Sequence, residues 1–157
     1  MSVERDLQRE KITSVDLSAY LAVRPDVTIQ ETIAEMRSKR IGAVLVQDDD
    51  GRLIGIFTER DVLKKIATEE RTLSQSISSV MTVDPETLTT DDVVGDVLRL
   101  MNSGDYRNVP VLNNEDNTVA GNFSQEALIR FLTDRFPREI YNLPPDPELI
   151  PHSREGA

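Results

Sequence analysis

The stretch "GAVLVQDDDGRLIGIFTERDVL", residues 42–63, contains two apolar runs that are joined by a polar turn and followed at once by a helical pattern. "AVLV" and "LIGIF" have the length of short buried strands, and Gly51 in the turn between them is able to take a positive φ. "ERDVLKKIA" closes the unit as a helix. Upstream, Ile29, Ile33 and Met36 recur at helical spacing. The stretch therefore predicts a helix-strand-strand-helix unit.

The same unit occurs a second time. A shift of 65 residues, which becomes 66 after one extra residue in the turn, aligns Met36 with Met101, Val44 with Val109, Gly55 with Gly121 and Thr58 with Ser124. One unit of this size has an apolar sheet face that it cannot cover alone. We therefore expect an α+β fold in which two helix-strand-strand-helix repeats pack sheet to sheet with pseudo-two-fold symmetry.

The chain divides into four parts on this interpretation. We expect an N-terminal segment over residues 1–13, repeat 1 over 14–70, repeat 2 over 71–136 and a proline-rich C-terminal arm over 137–157. The stretch "TEERTLSQSISSVMTVDPET" between the repeats is polar and is expected to be a connector. The arm carries five of the eight prolines together with several apolar residues. It is expected to pack across its own domain or a second chain.

Composition excludes several classes of function. The formal charge of −10 opposes binding to a nucleic acid backbone, which depends on Lys and Arg. No apolar run approaches the roughly 20 residues of a membrane span, and no signal peptide is apparent, so we expect a cytoplasmic protein that does not enter the membrane. The absence of cysteine and the single histidine, His152, remove thiol chemistry, zinc sites and a Ser-His-Asp set. We expect neither an enzyme nor a metal site.

The junction between the last strand of repeat 1 and its closing helix has two interpretations. Thr58 followed three residues later by Asp61 is a capping box, which is common in ordinary helices. The same hydroxyl and carboxylate are also able to hold a polar ligand. Repeat 2 keeps the hydroxyl, as Ser124, but has Ala127 in place of the carboxylate. Capping alone tolerates that difference, so both interpretations stay open.

Two copies of the unit, each closing with Gly-x-x-(Thr or Ser), resemble the tandem cystathionine beta-synthase (CBS) domain pair, or Bateman module. The resemblance covers about residues 14–136 and is most specific in "PDVTIQETIAEM", "GAVLVQDDDGRLIGIFTERDVL" and "YRNVPVL…GNFS". It implies an adenosyl ligand whose ribose hydroxyls bind Asp61, with Thr58 facing ribose or phosphate. The other residues that it places at this ligand are Ile41, Gly42 and Ala43 near the adenine, with Thr28 at the entry to the first helix. Arg60 and Arg107 are candidates for the phosphates, and a solvated surface charge is the alternative for each.

The equivalent second site departs from the family pattern. Ala127 has no acceptor for a ribose, and Val93 replaces the hydroxyl of Thr28. Asn108 and Ser124 are the polar residues that remain. The second site is therefore expected to be weak or empty.

The resemblance implies a stand-alone regulatory module. It would bind AMP, ADP or ATP, or S-adenosylmethionine, as a ligand and would need no cofactor. It would form a homodimer and signal to a separate regulated protein, whose identity the sequence does not give. The alternative is a ligand-free scaffold in which the sheets and the arm only mediate association and Thr58 and Asp61 serve as a cap.

Overall fold

The structure is a computed structural model and describes residues 3–67 and 73–138. The N-terminal part contains helix α1, Val3–Leu7, and a 3-10 turn, Ile12–Ser14. Repeat 1 then consists of β1 (Leu21–Val23), α2 (Ile29–Lys39), β2 (Ala43–Gln47), β3 (Leu53–Thr58) and α3 (Glu59–Asp61), which continues as a π-helical segment, Val62–Ile66.

Repeat 2 is built in the same order, except that an additional short strand, β4 (Thr82–Val83), comes before it and pairs with β3 of repeat 1. A second 3-10 turn, Ile77–Ser79, precedes β4, which is followed by β5 (Leu88–Thr89), α4 (Val94–Gly104), β6 (Asn108–Leu112), β7 (Val119–Ser124) and α5 (Gln125–Arg135). Each repeat thus has a further short strand, β1 or β5, before its first long helix. The sequence prediction had two strands in each repeat and did not include these.

The strands form two mixed sheets. The first has the order β1-β2-β3-β4 and the second the order β5-β6-β7, with β1 parallel to β2 and β5 parallel to β6. The hairpins β2-β3 and β6-β7 are antiparallel. Each sheet has its own apolar core, in which Phe57 and Phe123 occupy equivalent, fully buried positions. The expected α+β class, with two sheets and helices, is confirmed.

The segment that opens each repeat lies in the core of the other repeat. Ile12 and Val15 are buried in the core of repeat 2, and Ile77 and Val80 in the core of repeat 1. "ITSV" at residues 12–15 and "ISSV" at 77–80 align at the same shift of 65. The stretch expected to be only a polar connector therefore supplies core residues, because its two apolar side chains are covered by the other repeat.

Backbone hydrogen bonds show the same exchange. The Ile12 N–H donates to the Asp92 carbonyl over 3.1 Å, and the Ile77 N–H donates to the Val27 carbonyl over 2.7 Å. Because Asp92 is the equivalent of Val27, the two bonds are related by the pseudo-two-fold axis. The hairpin turns also meet, since the Val119 N–H donates to the Gly51 carbonyl over 3.0 Å.

Gly55 and Gly121 lie where the exchanged segments cross the sheets. A Cβ on Gly55 would lie 2.4 Å from the Met81 Sδ, and a Cβ on Gly121 would lie 2.7 Å from the Leu17 carbonyl oxygen. A larger residue at Gly121 requires the Leu17 backbone to move, whereas one at Gly55 meets mainly the Met81 side chain. Close approach of the crossing segment therefore explains why the same glycine stands in both copies.

Within residues 3–67 and 73–138, no helix combines the length and apolar character needed to cross a membrane.

Candidate functional site

The strand register places the start of β2 beside the end of β3. Ala43 pairs with Thr58 in the β2-β3 hairpin, and the Glu59 N–H donates to the Gly42 carbonyl over 3.0 Å. Ile41 is half-buried and packs on the core of repeat 1. The structure thus brings the predicted residues of the β2 start together with those of the β3-α3 junction.

The Asp61 carboxylate caps this junction. Its Oδ2 accepts a hydrogen bond from the Thr58 N–H over 2.9 Å and a longer one from the Thr58 hydroxyl over 3.4 Å. The Asp61 side chain is only 14% exposed, so it does not point into bulk water. A carboxylate has about four acceptor positions, and these contacts leave room for further donors. The geometry therefore supports capping directly and is compatible with a ligand.

Lys65 is a member of this site that the sequence interpretation missed. Its ammonium lies 3.4 Å from the Asp61 Oδ1 and donates to the Val80 carbonyl over 2.7 Å. It therefore connects the Asp61 carboxylate to the exchanged segment of repeat 2. The spacing of four residues between Asp61 and Lys65 was the available signal, because residues four apart on a helix are neighbours.

Glu59 occupies the space above Gly42. A Cβ on Gly42 would lie 2.6 Å from the Glu59 Oε1, so the carboxylate of Glu59 rests on the glycine backbone. Glu59 also lines a cavity of about 340 Å³ between α2 and the closing helix, where Ile41 is the only predicted ligand residue. A ligand base that approaches Gly42 from this side requires Glu59 to turn away.

Arg60 reaches the other repeat. Its guanidinium donates to the Asp105 carbonyl over 3.5 Å and lies 3.3 Å from the Asp105 carboxylate. Arg60 is 43% exposed and Asp105 is 87% exposed. Arg107, two residues beyond Asp105, is also exposed, and its carbonyl accepts from the Gln125 N–H over 2.8 Å. Arg60 therefore contacts repeat 2 at Asp105, and Arg107 follows two residues later on the exposed surface of repeat 2.

Thr28 has a structural task at the start of α2. Its hydroxyl accepts from the Glu31 N–H over 3.1 Å, and the Glu31 carboxylate accepts from the Thr28 N–H over 3.4 Å. Its backbone also bridges to Ser76, just before the exchanged segment. Thr28 is half-buried, and its hydroxyl is already engaged in this cap. Thr28 therefore borders the exchanged segment, and none of its described hydrogen bonds joins it to Thr58 or Asp61.

The second junction has a different polar network. The Asn122 amide donates to the Asn108 Oδ1 over 3.0 Å and to the Ala19 carbonyl over 3.1 Å. Asn122 is fully buried, and its own Oδ1 has no partner within the described part of the chain. The Ser124 hydroxyl accepts from the Ala127 N–H over 3.0 Å, which is a helix cap. Asn108 and Ser124 are thus both occupied by internal contacts.

The acidic turn of repeat 1 is also explained by local contacts. The Asp48 Oδ1 accepts from the Asp50 and Arg52 N–H groups over 2.9 and 3.0 Å. Asp49 pairs with Arg24, and this hydrogen bond and charge hold the pKa of the Asp49 carboxyl below its usual value. Within the described ranges, no group of three or more His, Asp or Glu side chains is arranged to hold a metal ion.

Comparison with known proteins agrees with the duplicated fold. The family model described as "CBS domain" matches residues 12–68 and 77–134. An uncharacterized 17.7 kDa protein of Acidianus ambivalens is 32% identical over 124 residues, which is 79% of this chain and 74% of that protein. The CBS domain-containing protein CBSCBSPB5 of Arabidopsis thaliana is 30% identical over 115 residues, which is 73% of this chain but only 21% of that protein.

Solved structures show the same fold. The CBS domain pair of protein MJ0100, in complex with 5′-methylthioadenosine and S-adenosyl-L-methionine, has a TM-score of 0.68 at 22% identity and covers 78% of this chain and 98% of that one. The cytosolic domain of the Mg²⁺ channel MgtE, in complex with ATP, has a TM-score of 0.66 at 22% identity and covers 82% of this chain and 51% of that one. At such identities these likenesses concern the fold. With two family matches that together span most of its length, the chain belongs to the CBS domain family as a tandem pair.

Proposed function

We propose that this CBS pair binds an adenine nucleotide or S-adenosylmethionine at the β3-α3 junction of repeat 1 and reports its occupancy to a separate protein. The observation that carries the proposal is the Asp61 carboxylate, which is largely shielded from water and retains acceptor capacity beside Thr58 and the Gly42 backbone. A vicinal diol offers two donors to one carboxylate, which suits the ribose of an adenosyl ligand. The ligands in the structures of the MJ0100 pair and the MgtE domain are of this chemical class.

A cationic region next to this junction favours a phosphorylated ligand. Arg60 contacts Asp105 of repeat 2, Arg107 lies two residues beyond Asp105 in the sequence, and Asp105 itself is almost fully exposed. A phosphate is able to replace an exposed carboxylate as the partner of an arginine. On this proposal the phosphate of the nucleotide replaces Asp105 as the partner of Arg60, which removes a contact between the repeats. A ligand gives a signal only if it binds one arrangement of the repeats more tightly than another.

Titration calorimetry with AMP, ADP, ATP and S-adenosylmethionine tests the proposal. We expect at least one of them to bind, and Asp61→Ala to weaken binding 10- to 100-fold, because hydrogen bonds to a charged group contribute about 1.5–3 kcal/mol.

Asp92→Ala is the matched control variant. The Asp92 Oδ2 accepts from the Thr89 N–H over 2.8 Å and from the Thr89 hydroxyl over 3.5 Å, which repeats the contacts of Asp61 with Thr58 in a turn of repeat 2. We expect Asp92→Ala to keep the affinity within about threefold, because it removes similar hydrogen bonds and no proposed ligand contact. If none of the four ligands gives a heat of binding with the unchanged protein, the ligand-free scaffold is favoured instead.

We also propose that the module is a cytoplasmic, non-enzymatic homodimer. Leu63 is 67% exposed and Ile129 is 55% exposed, and the shift of 66 residues makes them equivalent positions on the two closing helices. Exposed apolar residues related by a pseudo-two-fold axis suit a symmetric contact with a second copy. Analytical ultracentrifugation should show a dimer for the unchanged protein. The double variant Leu63→Glu with Ile129→Glu should be a monomer. Lys39→Glu, which changes the charge by a similar amount on α2, should leave the dimer intact.

A further inference from the structure

An apolar groove runs along α2 of repeat 1. It has a volume of about 550 Å³ and is lined by Gln30, Ile33, Ala34, Arg37, Ser38 and Leu73. Leu73 is 41% exposed at one side of it. Arg37 supplies the single charge among these residues. Apolar grooves of this kind in soluble proteins mark places where another segment or molecule binds.

The equivalent position in repeat 2 is filled by the N-terminal helix. Helix α1 contacts α4, with Leu7 buried in the core of repeat 2 and Val3 packed against it. The side chain of Gln8 lies over Gly95, which is the equivalent of Gln30 in the groove. The long helix of repeat 2 is therefore covered by a segment that brings two apolar side chains, Val3 and Leu7.

The pseudo-two-fold axis identifies the counterpart of α1 in repeat 1. The Val94 N–H donates to the Glu10 carbonyl over 2.8 Å, and the Ile29 N–H donates to the Gln75 carbonyl over 2.9 Å, so residue 10 corresponds to residue 75. By the same shift, the counterpart of α1 is residues 68–72, which lie outside the described residues.

The sequence of this counterpart differs from that of α1. "TEERT" aligns Thr68 with Val3 and Thr72 with Leu7, and it contains no apolar residue. An apolar cover equivalent to Val3 and Leu7 would therefore have to come from another segment.

We propose that the C-terminal segment of the same chain, residues 139–157, binds this groove through Leu149 and Ile150. In the sequence of this segment the two apolar residues stand among four prolines, a residue type that is disfavoured inside a regular helix. Glu148 directly precedes Leu149 and Asp146 stands two residues earlier, and both charges complement Arg37 of the groove.

The segment is also long enough to reach. Its 19 residues span about 60 Å when extended, whereas a compact chain of this length has a diameter of about 40 Å. The N-terminus covers repeat 2, and on this proposal the C-terminus covers repeat 1.

Disulfide trapping tests the proposal, because the chain contains no cysteine of its own. The full-length double variant Ser38→Cys with Pro151→Cys places one thiol at the groove and the other beside Ile150. The matched control is Ser103→Cys with Pro151→Cys, since Ser103 is the exposed equivalent of Ser38 on α4. Under mild oxidation we expect at least tenfold more crosslinked monomer from the first pair than from the control.

Two other results of the trapping experiment would overturn the proposal. Equal crosslinking in both pairs would show that the segment has no preferred site. A crosslinked dimer from the first pair, in place of the monomer, would show that the occupant belongs to a second copy. Adding Leu149→Ser and Ile150→Ser should reduce the crosslink to the control level.

Hydrogen exchange gives a second readout that needs no cysteine. In the full chain, Leu149→Ser with Ile150→Ser should speed amide exchange at least threefold in α2, because the groove loses its cover, and leave α4 unchanged. Unchanged exchange in α2 would also overturn the proposal. Both experiments are independent of nucleotide binding, so a failure of the proposed function does not affect them.

Discussion

The two glycines beneath the exchanged segments allow a prediction whose size follows from atomic distances. A methyl group on Gly121 would lie 2.5 Å from the Leu17 Cβ and 2.7 Å from the Leu17 carbonyl oxygen, which is backbone. A methyl group on Gly55 would meet mainly the Met81 side chain, at 2.4 and 2.7 Å, and the Thr82 carbonyl oxygen only at 3.0 Å. Backbone moves less readily than the end of a methionine side chain, which adapts to its surroundings.

We therefore expect Gly121→Ala to lower the free energy of unfolding by about 3 kcal/mol and Gly55→Ala to lower it by about 1 kcal/mol, within the range for overpacked interiors. Urea denaturation followed by far-UV circular dichroism measures both. With a slope of about 2 kcal/mol/M, Gly121→Ala should shift the midpoint by about 1.5 M. Met81→Ala should make the cost of Gly55→Ala smaller than in the unchanged protein, because the clash is then removed.

The reverse order of the two costs would refute this reasoning. If Gly55→Ala destabilised the protein more than Gly121→Ala, or if neither changed the midpoint, the exchanged segments would not press on the sheets as described. Gly51→Ala is a useful comparison, because its φ of +80° disfavours alanine although the added Cβ would lie at an ordinary contact distance of 3.8 Å from the Thr118 side chain. Its cost of about 1 kcal/mol should arise from the backbone conformation alone and should not respond to Met81→Ala.

Three further predictions concern polar contacts. Thr28→Ala should cost about 1 kcal/mol of unfolding free energy in urea denaturation, through loss of the α2 cap, and Thr28→Ser should restore most of it. Arg60→Ala should change stability by less than about 1 kcal/mol, because its pair with Asp105 is exposed, but calorimetry should show a larger loss of affinity for ATP than for adenosine. Hydrogen bonds from Ser18 lower the pKa of Asp16. The contribution of the Asp16 carboxylate to stability is therefore present above its unfolded pKa and is lost as the pH falls. Asp16→Asn should flatten the decline in stability that urea denaturation detects below about pH 4.

The duplication, and with it the fold class, could be read from the sequence. Aligned apolar residues such as Val44 and Val109 fix two copies of one unit, and the strand and helix periods follow from residues that pack locally. The exchange of the opening segments was less accessible. Ile77 and Val80 stand among serines in a stretch that is polar on average, and only a partner from the other repeat makes them core residues.

The candidate site was predictable to the extent that it depends on neighbours in sequence. Thr58 and Asp61 contact each other because helix geometry brings residues three apart together. The contact of Arg60 with Asp105 and that of Lys65 with the Val80 carbonyl depend on how the repeats are placed, which no local pattern encodes. The position of Glu59 over Gly42 likewise depends on the strand register.

The exchange of opening segments has a consequence for the history of such a chain. A half-length ancestor with one repeat would find a partner for its opening segment only in a second molecule, so its folding would depend on protein concentration. Joining two copies by a linker turns that encounter into one within a single chain, at an effective concentration in the millimolar range. The two copies are then free to diverge, and a carboxylate such as Asp61 needs to persist in only one of them.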